Sequence, residues 1–433
     1  MEWWMILIIS ITVLFGLMLL GIPIAYGLGF LGLMLGVLLI GPKILYLFGT
    51  IAYGKINVFG FVAVPLFILM AEIILVSGAT RDAFDMIHKW LGALPGGLAI
   101  ASQVLCTLFA AVCGASTATT AVVGGMALPE MLKRGYEKRI STGSIAAGGA
   151  LGVLIPPSLL LIIYGILTET SIGQLFIAGI IPGLILTAER IIYFVVVCTI
   201  NPSLGPAVHG FTWKERFGTL WKIIPLLLLA LFMFSAIYMG IATPTEVAGI
   251  GVFVALVISI VYRSLHWKEL KEAFFKTGQT TCFIMWILVA AASYGYVLSY
   301  LLVPQKLVAW TTSQGLDRYA ILILINLLLF LLGCIMDPGA IIMVTISILG
   351  PLVYELGFDM IWFGIMFVVN MELAEITPPL GLNLFIMKSV SPPEVTMKDI
   401  IIGAVPFMIL DIISLALIII FPGLVLWLPS TMM

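Results

Sequence analysis

The chain has 433 residues, of which 62% are hydrophobic and 9% charged, and a formal net charge of −1. Soluble domains carry about a quarter charged residues, so this is a polytopic membrane protein with no stretch long enough for a soluble domain. The near-zero net charge argues against a nucleic-acid partner.

A bilayer core takes about 20 apolar residues per helix. Read in chain order, the apolar runs predict spans at 3–20, 24–41, 59–77, 140–168, 175–199, 222–240, 245–262, 279–300, 358–388 and 400–428. The first run, WWMILIISITVLFGLMLLGIPIAYG, lacks a basic leader and a convincing cleavage site, and reads as a retained span rather than a signal peptide. Segments 94–133 and 318–355 are apolar but turn around at polar tips. For 94–133, a re-entrant hairpin and two full spans give the same parity. Short connectors at 81–90, 211–222 and 266–276 mix aromatic and basic residues, as helices lying at an interface do; solvated loops fit them equally. The five cysteines, Cys106, Cys113, Cys198, Cys282 and Cys334, lie in apolar runs without CxxC spacing and read as packing residues. The three histidines, His88, His209 and His266, fall in polar connectors.

Basic residues set the orientation. With the N-terminus outside, fifteen of them, from Arg81 to Lys398, face the cytoplasm, and only Lys43, Lys55, Lys306 and Arg318 face outward. Ten spans then put both termini outside.

The sequence also repeats itself. Phe61 and Phe283, Pro129 and Pro351, Gly135 and Gly357, and Pro156-Pro157 and Pro378-Pro379 are each 222 residues apart; Cys113 and Cys334 are 221 apart and Pro182 and Pro406 are 224 apart. Residues 61–183 therefore resemble 283–407, and the predicted topology makes the copies inverted. This divides the chain into N-terminal scaffold helices (1–60), a first repeat (61–199), central scaffold helices and connectors (200–282) and a second repeat (283–428).

In both repeats a span is broken by paired prolines, in GALGVLIPPS (149–158) and ELAEITPPLG (372–381). Proline removes a backbone donor and frees carbonyls that hydrocarbon cannot satisfy. Such carbonyls persist where they line a cavity, and inverted repeats with interrupted helices place transport sites at those interruptions. The hairpin tips fit the same use. CGASTATT offers Gly114, Ser116 and Thr117, MDPGA offers Asp337 and Gly339, and neither tip carries a basic residue, which suits a hard cation. The intramembrane ionisable residues are Glu72, Glu189, Arg190, Asp337, Glu372, Glu375 and Asp411; those beside the breaks, Asp337 first and Glu375 second, are the functional candidates. Glu189 and Arg190 are neighbours in sequence and do not share a helix face, so they are not expected to pair.

The stretch from CGASTATTAVVGGMALPEMLKRGY through LGVLIPPSLLLIIYG, with its counterpart MDPGAIIMVTISILGPLVYELGF through MELAEITPPLGLNLF, resembles the large membrane subunit of TRAP transporters, the DctM type, over essentially the whole chain. One departure is Ala115, where the family often has a hydroxyl. The resemblance implies an all-α, inverted-repeat, elevator-type fold with two re-entrant hairpins and two broken helices. It implies a sodium-coupled importer of an organic acid in the bacterial or archaeal cytoplasmic membrane. Its partners would be a small four-helix membrane subunit and a periplasmic binding protein. Carried onto this sequence, the first ion site would use Gly114, Ala115, Ser116 and Thr117 with Gly152, Ile155, Pro156, Pro157 and Ser158. The second would use Asp337, Pro338 and Gly339 with Thr377, Pro378, Pro379, Gly381 and Asn383. Gly114, Ser116, Gly152, Asp337, Gly339 and Thr377 would touch sodium in at least two sites, and the substrate carboxylate would lie between the tips. C4-dicarboxylates, sialic acid, sugar acids and keto acids are all compatible substrates.

Three rivals remain. A stand-alone ion- or proton-coupled anion carrier shares the repeat architecture. An intramembrane enzyme lacks its chemistry here: no histidine lies in a span to serve as a base, and there is no HExxH or aspartate-rich cluster. A channel would use oligomeric rings of like residues rather than two unlike halves of one chain.

Overall fold

A computed structural model describes residues 2–208, 210–262 and 266–432, apart from the side chain of Thr312. His209 and Arg263, placed above in a connector and on the cytoplasmic face, lie outside the described residues. The described residues form twenty α-helices and no strand.

The chain opens with α1 (Trp3–Leu19) and α2 (Ile24–Leu39), which turn at Gly21, a position with a φ of +79° that a side chain would strain. Next come α3 (Ile44–Ile56), a 3-10 turn at Phe59–Val62, α4 (Ala63–Val76) and α5 (Ala79–Leu91). The first hairpin is α6 (Gly97–Cys113) and α7 (Ser116–Lys133). The first broken helix follows as α8 (Lys138–Ala150), a 3-10 turn at Leu151–Val153, and α9 (Leu159–Thr168), and α10 (Ile172–Ile200) ends the repeat. The centre comprises α11 (Trp213–Tyr238), α12 (Pro244–Val261), α13 (Trp267–Tyr300) and α14 (Val303–Ser313). The second hairpin is α15 (Arg318–Gly333) and α16 (Pro338–Glu355); the second broken helix is α17 (Met360–Glu375) and α18 (Leu382–Val390), before α19 (Met397–Ile420) and α20 (Gly423–Ser430). Among the described residues, seven helices are long and apolar enough to cross a membrane.

The two repeats run in opposite senses. The Tyr164 hydroxyl near the end of α9 donates to the Met360 carbonyl at the start of α17 (2.6 Å), while Lys138 at the start of α8 donates to the Glu394 carbonyl just past α18 (2.6 Å). Each broken helix thus begins where the other ends. Their flanks pack closely: a Cβ on Gly143 of α8 would collide with the Gly403 carbonyl of α19, and one on Gly403 with the Arg139 carbonyl. Only glycines permit that crossing.

Four sequence expectations change. Residues 44–56 and 303–313, which no predicted span covers, are the helices α3 and α14. The connectors at 211–222 and 266–276 are not separate interface helices or loops; they are the first turns of α11 and α13. Thr212 and Glu215 form a capping box that starts α11 at Trp213, and the helix runs on through Gly218 and Pro225 without ending. At 34 residues, α13 is about 51 Å long and overshoots a bilayer core. The span at 400–428 stops at Ile420, because Pro422 ends the ladder and a short helix follows.

The fourth change is His88, which is not in a solvated connector. It sits on the buried face of α5, 5% exposed, stacked on Phe84 and edge-on to Phe211 at 5.1 Å. Burial, reinforced by Arg134, pushes its pKa below the ordinary 6.5, and Glu130 and Asp85 only partly oppose this. The unfolded chain then binds the extra proton first as pH falls, so the stability that neutral His88 contributes is present above about pH 6.5 and lost below it. Acidification from about pH 7.5 to about pH 5.5 should lower the melting temperature, and His88→Gln should flatten that response.

Candidate functional site

Each hairpin tip docks on the break of its own repeat. Gly114 ends α6 with a φ of +64°, which only glycine adopts without strain, and its carbonyl accepts a hydrogen bond from the Leu159 amide just past the first break (3.4 Å). In the second repeat the Cys334 carbonyl accepts from the Leu380 amide (3.1 Å). The contacts leave no room for side chains. A Cβ on Gly114 would collide with the Pro157 carbonyl, one on Gly152 would lie 2.8 Å from the Ser116 amide, and one on Gly333 would collide with the Ala374 side chain. Since the broken helices run from pole to pole, both tips lie at mid-depth, and both hairpins are re-entrant rather than pairs of full spans.

Proline and capping chemistry shape the breaks. The 156–157 and 378–379 peptide bonds join paired prolines, so each break lacks two consecutive backbone donors and leaves carbonyls unclaimed. Ser158 caps α9, accepting from the Leu161 amide (3.3 Å) and donating to the Val153 carbonyl. Asp337 caps α16, accepting from the Ala340 amide (3.0 Å), with Pro338 at the first helical position and Gly339 after it. The Thr377 hydroxyl donates to the Leu373 carbonyl (2.7 Å), which leaves its oxygen free to accept or to coordinate. Gly381 starts α18 at a φ of +40°.

Of the sequence candidates, Gly114, Ala115, Ser116 and Gly152 meet at the first tip with Pro157. Asp337 and Gly339 lie on the second tip, and the Cys334–Leu380 bond ties that tip to the break that holds Thr377, Pro378 and Pro379. Ile155 is different: its side chain packs against Gly183 of α10, so only its backbone is available to the first site. The oxygens that converge are one carboxylate, hydroxyls and freed carbonyls, a donor set for a hard cation rather than a thiophilic metal. Among the described residues no group of three or more His, Cys, Asp or Glu is placed to hold a metal ion.

Two arrangements escaped the sequence reading. First, Ser116 at the start of α7 donates to Oε1 of Glu375 at the end of α17 (2.5 Å), and Asn383 Nδ2 lies 3.5 Å from Glu375 Oε2 and 3.4 Å from the Ala146 carbonyl. Glu375 therefore crosses from the second break to the first tip. Second, Arg190 of α10 is wholly buried and makes three 2.7 Å bonds, to the Ala147 carbonyl of α8, Glu372 of α17 and Asp411 of α19. Glu189, as expected, does not pair with it, and instead accepts from Ser414 (2.7 Å). Arg190 and Asp411 lie 221 residues apart, whereas the 224-residue spacing of Pro182 and Pro406 aligns α10 with α19, so the repeat sets Arg190 against Ser414 and Asp411 against Thr187.

A cavity of about 1250 Å³ opens beside this assembly, where the α9–α10 turn, α16, α13 and α3 meet; Thr168, Tyr296, Ser347 and Tyr354 line it, and no tip or break residue does.

Comparison with known proteins decides the family. The family described as the tripartite ATP-independent periplasmic transporter, DctM component, matches residues 11–424. The chain belongs to this family. It is 36% identical to the C4-dicarboxylate TRAP transporter large permease protein DctM of Pseudomonas aeruginosa, covering 85% of this chain and 86% of that one. It is 32% identical to the ectoine TRAP transporter large permease protein TeaC of Halomonas elongata, covering 85% of each. It is 33% identical to the isethionate TRAP transporter permease protein DctMQ of Oleidesulfovibrio alaskensis over 89% of this chain but 61% of that longer one. The fold is similar to the crystal structure of the Alcanivorax borkumensis YdaH transporter, with a TM-score of 0.61 at 15% identity, covering 87% of this chain and 88% of that one. This is a TRAP transporter large permease and not an enzyme.

Proposed function

We propose that this permease imports an organic acid driven by sodium, with the two hairpins and two broken helices moving as one body against the remaining helices. The observation that carries the reading is the paired docking of each glycine-hinged tip on its own proline break at mid-depth, with oxygens and no basic side chain at either tip. Sodium is cargo here: Gly114, Ser116 and Gly152 would hold one ion, and Asp337, Gly339 and Thr377 another. Helix starts at α7, α9, α16 and α18 point positive dipole ends toward the same centre, which favours a substrate carboxylate between the tips. The predicted outward connectors carry no capture domain, so a periplasmic binding protein would deliver the substrate, and a small four-helix subunit would widen the static part. The positive-inside pattern places both termini outside.

The test is uptake into proteoliposomes that hold the permease and small subunit, with the binding protein supplied outside and a panel of labelled carboxylates and zwitterions. An inward sodium gradient should drive accumulation of one substrate class, and a potassium gradient of equal size should not. Equal uptake under both gradients would overturn sodium coupling, and uptake without the binding protein would overturn dependence on it.

A further inference from the structure

We infer that Glu375, Ser116 and Asn383 form a third cation site between the two repeats, sharing Ser116 with the first tip-and-break site, and that it takes one bare monovalent cation. The inference rests on the sodium-coupled reading above. Its first support is geometry. Glu375 Oε1 is 2.5 Å from the Ser116 hydroxyl, and Oε2 is 3.5 Å from the Asn383 amide nitrogen, so three side chains from α17, α7 and α18 converge.

Burial and charge sharpen it. Glu375 and Ser116 are each 4% exposed and Asn383 is fully buried. The charged groups that Glu375 senses are Glu372 and Asp337, both acidic. Arg190 is engaged by Glu372 and Asp411 at 2.7 Å. Among the described residues no basic side chain pairs with Glu375. An isolated carboxylate in the membrane interior is expensive unless a positive charge joins it. Asn383 Oδ1 has no hydrogen-bond partner, although its own amide nitrogen sits beside Glu375. One carboxylate, one hydroxyl and one unclaimed amide oxygen make a hard, singly charged ligand set.

The repeat supplies the strongest argument. Counting 222 residues along, the spacing of the paired prolines, the partners of Glu375, Ser116 and Asn383 are Val153, Pro338 and Leu161. Ser116 and Pro338 are each the first residue of their helix, so the correspondence holds in the structure. At the symmetry-related junction, packing alone is met by three residues without polar side chains. At this junction all three are polar and Glu375 touches both of the others, which answers to a ligand rather than to the fold. Ala115 fits the same picture. Its counterpart Asp337 caps α16 with its own carboxylate, whereas α7 begins beside a carboxylate borrowed from the opposite repeat.

The test uses the full chain in lipid nanodiscs and equilibrium binding of ²²Na⁺, with potassium holding the ionic strength. Wild type is compared with Glu375→Gln, which keeps the shape, and Asn383→Leu, which installs the residue found in the other repeat. Both variants should bind one sodium fewer per chain than wild type while melting at the wild-type temperature in potassium chloride. Wild-type binding with the same number of ions in both variants overturns this site and leaves the two tip sites standing. No ²²Na⁺ binding by wild type overturns the sodium reading and this inference with it. Should Glu375→Gln fail to fold, Glu375→Val, which installs the residue found in the other repeat, decides the outcome.

Discussion

Arg190→Met should destroy the folded permease. Arg190 is wholly buried, and its guanidinium lies between Glu372 and Asp411 while also holding the Ala147 carbonyl. Removing it leaves two carboxylates facing each other in a medium that cannot solvate them, and breaking such a buried arrangement costs about 3–5 kcal/mol. Most folded domains have only about 5–15 kcal/mol in hand, so the expected result is loss of the monodisperse peak in detergent chromatography and a collapse in expression. Arg190→Lys keeps the charge but cannot reach α8, α17 and α19 together, and should recover part of the yield. The exposed pair Lys222–Asp82, 2.7 Å apart, is the control; Lys222→Met should cost less than about 1 kcal/mol. The triad joins the half-helices that lead into both breaks, α8 and α17, to the closing helices of both repeats. It therefore fixes the distance between the two breaks.

Gly114→Ala should leave a folded protein that does not transport. The added methyl would be driven into the Pro157 carbonyl at a φ of +64°, where an L-residue already pays about 1–2 kcal/mol. That strain is small against total stability. It falls, however, on the contact that sets the spacing of the first tip and the first break, and a misplacement of about 1 Å at such a site is worth about 100-fold in rate. Uptake in proteoliposomes should fall by about that factor, with a melting temperature close to wild type in potassium. Gly125→Ala, on the same hairpin with nothing within 4 Å of the new methyl, should transport normally. Equal uptake by the two variants would show that the tip-to-break contact does not shape the transport site.

Much of this was legible in the sequence because its signals were local and doubled. Paired prolines at a fixed spacing, glycines at both tips and basic residues on one side of the spans gave the repeats, the hairpins and the breaks. What was hidden is long-range. Ser116 and Glu375 are 259 residues apart, and no periodicity announces that a carboxylate will cross from one repeat to the other. The Arg190–Asp411 pair was equally hidden, since the 224-residue spacing of Pro182 and Pro406 sets Arg190 against Ser414, and Glu372 joins the two only through packing. The errors in the helices have a different cause. Aromatic and basic residues at the start of α11 and α13 looked like separate interface segments, yet each helix runs through its glycine, Gly218 or Gly278, into the apolar run that follows. Conversely, α3 and α14 are helical although too short and too mixed in composition to register as spans. His88 shows the same limit at one residue, since a polar connector in sequence became a buried helix face once α11 packed on α5.

The most direct test of the central claim is thermal unfolding of the purified chain in sodium chloride against potassium chloride at equal ionic strength, repeated with Asp337→Ala and Pro378→Gly. A ligand bound only by the folded state raises stability by about 2.7 kcal/mol at one hundred times its dissociation constant. The account predicts a saturable rise in melting temperature specific to sodium and weakened by either substitution. Identical curves in the two salts would contradict it.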